Sequence, residues 1–226
     1  MFEKADVGIA IDPDSDRLVL ITDKGEPFIE EYTIVSAVKF VLEMEQRSGR
    51  SNHSVVVNLS TTRAVDDVAA EYGATVYRTP VGEINVASRM KQLGSVIGGE
   101  GSGGVILPQV HLSRDAMVGT ALFLQLLTDS GGTSSQLKAR LPQYEIVKNK
   151  IDVGTLRPDA ILAKLHETYS KSEKTNFEDG LKIDFTDSWV HLRKSNTEPI
   201  IRIIAEARTR DEAARLVSRF QKEITG

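Results

Sequence analysis

The chain has 226 residues, 40% of them hydrophobic and 27% charged, with a formal net charge of −4. That length accommodates one or two domains, and the charge gives no general pull towards nucleic acid, so any anion site must be local. Cysteine is absent, which excludes disulfides, thiolate metal sites and cysteine nucleophiles and fits a reducing cytoplasm.

Val7 to Ile11 is an apolar run that reads as a core strand ending in an acidic loop, and Arg17 to Thr22 is a second run closed by the turn Asp23-Lys24-Gly25-Glu26. A buried strand so near the first residue points to a fragment or a truncated gene product. Tyr32 to Met44 carries apolar residues at helical spacing. Val55-Val56-Val57, Thr75-Val76-Tyr77 and Ser95 to Gly98 read as strands, separated by helices over Thr62 to Tyr72 and Ile84 to Leu93. Ala116 to Leu127 is a strongly apolar helix. Short apolar strands alternating with helices predict a parallel α/β layer from about Asp23 to Thr128.

Gly131-Gly132-Thr133-Ser134-Ser135 punctuates the chain, and the pattern changes after it. A strand from Tyr144 to Asn149 and a helix from Arg157 to Tyr169 precede three strands, Leu181 to Phe185, Trp189 to Leu192 and Ile200 to Glu206. Arg210 to Ile224 is an amphipathic helix. Consecutive strands with helices at the ends predict a smaller α+β domain with an antiparallel sheet. Apolar runs such as Val105-Ile106-Leu107 fall far short of the ~20 residues a bilayer span needs. No basic stretch followed by a long apolar run stands at the amino terminus, so neither a membrane nor a secretory signal is expected.

Three loops carry candidate chemistry. In Asp12-Pro13-Asp14-Ser15-Asp16-Arg17, carboxylates at alternate positions can converge on a hard cation. The alternative is a solvated acidic turn. A calcium loop of the EF-hand type is disfavoured, because its sixth position needs glycine and its twelfth glutamate, where Arg17 and Asp23 stand. A strand followed by two spaced aspartates also resembles the haloacid-dehalogenase phosphatases, in which Asp12 would attack phosphorus; Asp66 and Asp67 read as surface charges rather than as that family's second acidic pair. In Gly99-Glu100-Gly101-Ser102-Gly103-Gly104, glycine allows close backbone approach while Glu100 and Ser102 offer an acceptor and a donor to sugar hydroxyls; otherwise this is a flexible turn. In Arg193-Lys194-Ser195-Asn196-Thr197-Glu198-Pro199, followed by Arg202, basic and hydroxyl groups suit a phosphate dianion, against an ordinary polar hairpin end.

In this order the loops resemble the α-D-phosphohexomutase superfamily, which includes phosphoglucomutase, phosphomannomutase and phosphoglucosamine mutase. The resemblance extends to the turn Thr79-Pro80-Val81-Gly82 and the strand ending in Glu206-Ala207. It implies the tail of the second domain with the metal loop over 1–22, an α/β sugar-binding third domain over 23–135, and an α+β phosphate-binding fourth domain over 136–226. It also implies magnesium held by Asp12, Asp14 and Asp16, with Arg17 beside the reacting phosphate as the catalytic group. Glu100 and Ser102 would contact sugar hydroxyls, with Gly82 and Glu83 on a second sugar-facing loop. Arg193, Ser195, Asn196 and Thr197 would grip the idle phosphate, and Arg202 would support that loop. The chain departs from the family's habits at Gly104, where histidine is common, and at Pro13, where glycine is usual. The family's phosphoserine segment, commonly followed by histidine, has no counterpart here. The resemblance thus implies a phosphosugar partner and amino-terminal domains of the same enzyme as a second partner. It predicts binding without turnover by this chain alone; a non-catalytic phosphosugar-binding module would behave alike.

Overall fold

In the computed structural model the two apolar runs at the start of the chain pair as an antiparallel hairpin, β1 (Val7–Ile11) and β2 (Leu18–Thr22), with the acidic loop at its tip. The structure describes residues 4–225 apart from Asn52, Thr155, Leu156, Asn196 and Thr197. The chain forms two compact units, Met1–Gln143 and Tyr144–Gly226.

The hairpin corrects one expectation. β1 is not a core strand: Ile9 and Ile11 are exposed, while Leu18 and Leu20 of β2 are fully buried. Helix α1 (Glu30–Arg47) follows, then β3 (Ser54–Asn58), α2 (Ala64–Glu71), β4 (Thr75–Thr79), α3 (Glu83–Leu93), β5 (Ile97–Glu100), β6 (Gly104–Ile106), α4 (Ala116–Ser130) and α5 (Ser134–Arg140). Four of these strands form a sheet in the order β4-β3-β5-β6. β3 runs parallel to both β4 and β5, as expected, but β6 is antiparallel to β5, so the layer is mixed rather than purely parallel. The tight return through Gly101 to Gly103 leaves no room for the crossover that a parallel partner needs.

Burial of Val55, Val56 and Val57 on both faces of β3 marks it as the sheet's centre. On one face α3 packs Val86 and Met90 against Val56 and Ile106. On the other, α1 and α4 lie against each other, and Ile34 of α1 approaches Gly99. The glycine run therefore begins inside a strand: side chains at 98 and 99 would enter the space of Met90 and Ile34. Helix α5 extends the first unit past the Gly131-Gly132 turn and starts in a capping box between Thr133 and Gln136.

In the second unit β7 (Glu145–Asp152), α6 (Pro158–Tyr169), β8 (Lys174–Asn176), β9 (Leu181–Asp184), β10 (Trp189–Lys194), β11 (Ile200–Ala207) and α7 (Arg210–Thr225) follow in order. The five strands form an antiparallel sheet ordered β7-β11-β10-β9-β8. Ala213, Val217, Phe220 and Ile224 make the buried stripe of α7, and with Leu162 and Leu165 of α6 they cover the face bearing Val190, Leu192, Ile201 and Ile203. Both domain classes match expectation. Among the described residues no helix is long and apolar enough to cross a membrane.

Candidate substrate-binding loops

The acidic loop and the glycine loop meet in the first unit. The Leu18 N–H at the start of β2 donates to the Gly103 carbonyl (3.0 Å), and the Ala116 N–H at the start of α4 donates to the Ser15 carbonyl (3.0 Å). Gly103 has φ +88, and a Cβ there would press on the Leu18 backbone, so glycine is required for this docking. Asp115 caps α4 by accepting from the Val118 N–H at 2.9 Å, which fixes the helix start beside the acidic loop.

Within the acidic loop Asp12 turns its carboxylate inward, accepting from the N–H groups of Asp16 and Arg17, each at 3.2 Å. Burial works to raise Asp12, but those N–H groups and the Arg17 charge outweigh it and hold the carboxyl below its ordinary value. Asp16 goes the other way: burial pushes it up, and the neighbouring Asp12 carboxylate adds to that against the pull of Arg114. The half-exposed Arg17 guanidinium lies 3.7 Å from both Asp12 and Asp16. Asp14 is exposed. The described residues bring Asp12 and Asp16 together, but among them no group of three or more carboxylate or histidine side chains is arranged to hold a metal ion. Asp16 Oδ1 is buried without a hydrogen-bond partner. Two carboxylates with one open buried oxygen fit magnesium, which uses one or two carboxylates and completes its shell with water and phosphate.

Glu100, at the end of β5, is buried and engaged by protein groups. Its Oε1 accepts from Asn58 Nδ2 (2.7 Å) and the Gly82 N–H (2.9 Å), and its Oε2 accepts from Arg114 Nη1 (2.7 Å). A carboxylate offers about four acceptor positions, and these three donors leave about one. Gly82 is the N-cap of α3 with φ 123, and its N–H joins the Thr79-Pro80-Val81-Gly82 turn to the glycine loop. Glu83, the first residue of α3, accepts from Ser113 Oγ (2.5 Å) and the Arg114 N–H (2.8 Å). Burial opposes these bonds, yet with the Arg114 charge they hold its carboxyl below the usual value. Ser102 sits half-buried at the turn between β5 and β6.

No sequence motif marks Arg114. Its mostly buried guanidinium donates to Asp16 Oδ2 through Nη2, to Glu100 through Nη1, and lies 3.4 Å from Glu83 through Nε. The expected metal loop and both expected sugar loops therefore meet on one side chain. The acidic pair Asp66-Asp67 also proves less bland than expected: Asp66 pairs with Arg78 at 2.5 Å, and Arg78 caps the carbonyls of Asn58, Thr61 and Thr62 beneath the same loops.

In the second unit the basic loop closes a β10–β11 hairpin, with the Ser195 N–H donating to the Ile200 carbonyl at 3.0 Å. Asn196 and Thr197, two of the expected phosphate ligands, lie outside the described residues. Arg193 pairs with Asp179 at 2.9 Å. Arg202 stands directly across from Arg193 on one side and from Lys150 on the other. Three cations thus form a row over three strands on one face. Like charges directly opposite one another destabilise a sheet, and an anion relieves them. Lys150 had no motif to mark it.

With both units described, comparison with known proteins places the chain in a class. Residues 31–144 match the phosphoglucomutase/phosphomannomutase α/β/α domain III, and residues 146–223 match the C-terminal domain of the same family. The chain belongs to the phosphoglucomutase/phosphomannomutase family. It is 39% identical over 210 residues to a phosphoglucomutase/phosphomannomutase of Thermococcus kodakarensis, covering 92% of this chain and 45% of that protein. It is 34% identical over 220 residues to a probable phosphoglucosamine mutase of Methanopyrus kandleri, covering 96% and 47%. The chain spans about half the length of these relatives. Its fold is that of a phosphoglucomutase/phosphomannomutase family protein from Burkholderia thailandensis, with TM-score 0.80 and 22% identity over 98% of this chain and 47% of that one.

Proposed function

We propose that these residues carry the metal-, sugar- and phosphate-binding groups of a magnesium-dependent phosphohexomutase acting on hexose or hexosamine phosphates. In this reading the phosphoserine nucleophile comes from a segment outside them, and the chain alone binds without turning over. The observation that carries the reading is the convergence of Asp16, Glu83 and Glu100 on Arg114, within a chain whose family relatives are phosphosugar mutases.

Asp12 and Asp16 would hold magnesium, with Asp14 reaching it only by a change in its exposed side chain. Bound magnesium would neutralise charge on a phosphoryl group in transit. Arg17, half-exposed and 3.7 Å from both carboxylates, would donate to that phosphoryl group's oxygens. Glu100 accepts from a sugar hydroxyl through its remaining position, and Ser102 lies on the same turn. Arg193, Ser195 and Arg202, with Asn196 and Thr197 by family resemblance, bind the phosphate that is not transferred. Gripping whichever phosphate is idle, that loop would accept the sugar in either orientation, and the bisphosphorylated intermediate would turn over between the two transfers, as a mutase requires.

A coupled assay converting glucosamine 1-phosphate or glucose 1-phosphate to the 6-phosphate tests the assignment. The 226-residue chain should give no sustained conversion, while an added amino-terminal half from a relative should restore it. Sustained conversion by the chain alone would remove the claim about the nucleophile. Phosphate release from p-nitrophenyl phosphate, abolished by Asp12→Asn, would favour a phosphatase instead.

A further inference from the structure

Arg114 has partners 98, 31 and 14 residues away in sequence, on the acidic hairpin, the α3 start and the β5 end. The space that its side chain fills is left open by another residue. A Cβ at Gly104 would fall inside the Arg114 stem, at 3.0 Å from Cγ and 3.3 Å from Nε. Gly104 does not have positive φ, so no backbone demand explains glycine at this position. The missing side chain is explained by the guanidinium beside it.

The arrangement is short of positive charge. One guanidinium faces Asp16, Glu83 and Glu100: Nη2 and Nη1 donate to Asp16 and Glu100, while Nε stands 3.4 Å from Glu83 in an ion pair without a hydrogen bond. A planar fork can hold three carboxylates in fixed relative directions, whereas an ammonium supplies similar charge without those directions. Asn58 and Gly82 already fix Glu100 Oε1, so Arg114 decides where Oε2 and its remaining lone pair point.

We propose that Arg114, seated in the space that Gly104 leaves, is a positioning residue: it orients Glu100 and Glu83 towards a sugar hydroxyl and ties them to the metal loop through Asp16. This rests on the phosphosugar reading above. It assigns Arg114 no contact with the ligand, and it makes Gly104 part of the recognition apparatus although residue 104 offers no side chain of its own.

The test measures binding of glucosamine 1-phosphate and of inorganic phosphate by calorimetry, with magnesium present, for the unaltered chain, Arg114→Lys and Gly104→Ala. Arg114→Lys keeps the charge and loses the fork; Gly104→Ala keeps Arg114 and takes its space. Both should weaken glucosamine 1-phosphate binding by about tenfold or more, while inorganic phosphate affinity stays within about twofold. Urea unfolding establishes that the first unit of each variant is folded under the binding conditions, where a residue that only held the fold together would leave glucosamine 1-phosphate affinity unchanged. Unchanged glucosamine 1-phosphate affinity in either folded variant, or an equal loss for inorganic phosphate, overturns the proposal. If Arg114→Lys does not fold, Gly104→Ala decides alone. No glucosamine 1-phosphate binding by the unaltered chain would instead refute the phosphosugar reading, and this inference with it.

Discussion

Gly103 offers the sharpest check on how the acidic loop is docked. Its φ of +88 is strained for any other residue, and a Cβ there would push against the Leu18 backbone, with the Leu18 nitrogen at 3.1 Å. Gly103→Ala therefore combines two costs. The left-handed backbone costs about 1–2 kcal/mol. Overpacking against main chain that cannot rotate away adds about 1–3 kcal/mol. Gly25 separates the two, because it has φ +75 in the same unit and a Cβ there would meet nothing within 4 Å. Gly25→Ala should therefore show the backbone cost alone. Urea unfolding of the first unit, followed by a probe confined to it, should place Gly103→Ala about 1–3 kcal/mol below Gly25→Ala. The same variant should weaken magnesium-dependent ligand binding, since the Leu18 to Gly103 bond positions the acidic loop. Equal stability losses in the two variants would refute the docking argument.

His191 makes the second unit's stability depend on pH. Burial lowers its pKa from 6.5 to about 4, opposed by the Asp179 carbonyl and charge and reinforced by Lys182 and Arg193. The folded state keeps it neutral while the unfolded chain takes up a proton first. Its contribution is thus complete above pH 6.5 and falls as pH drops towards 4, by up to about 3 kcal/mol. Thermal unfolding of the second unit from pH 7 to 4 should show that slope, and His191→Gln should flatten it. Arg202→Gln should weaken inorganic phosphate binding yet stabilise the ligand-free second unit by about 0.5 kcal/mol, because it breaks the row Lys150–Arg202–Arg193. Calorimetry and urea unfolding read the two signs separately; a loss of both affinity and stability would show that the row is structural.

Much of the fold was legible because its signals are local. The valine run of β3 and the stripe Ala213, Val217, Phe220, Ile224 of α7 declare a buried strand and an amphipathic helix without help from distant residues. Local signals also misled. Val7 to Ile11 is as apolar as a core strand, but it belongs to a two-stranded sheet that leaves Ile9 and Ile11 exposed. The Gly131-Gly132-Thr133 stretch read only as punctuation, although Thr133 and Gln136 spell the capping box that opens α5. The candidate loops were visible as motifs, whereas their hub was not. Arg114 follows an ordinary polar turn, and its meaning lies in partners that only the folded chain assembles. Glu100 was found for its acceptor, and the structure adds that most of its acceptor capacity serves to join two loops.

Phosphorus NMR of glucosamine 1-phosphate titrated with the chain and magnesium reads attachment and chemistry in a single spectrum. A saturable shift or broadening of the 1-phosphate resonance is expected, with no 6-phosphate signal growing in. A spectrum untouched by excess protein, or a steadily accumulating 6-phosphate line, would contradict that expectation.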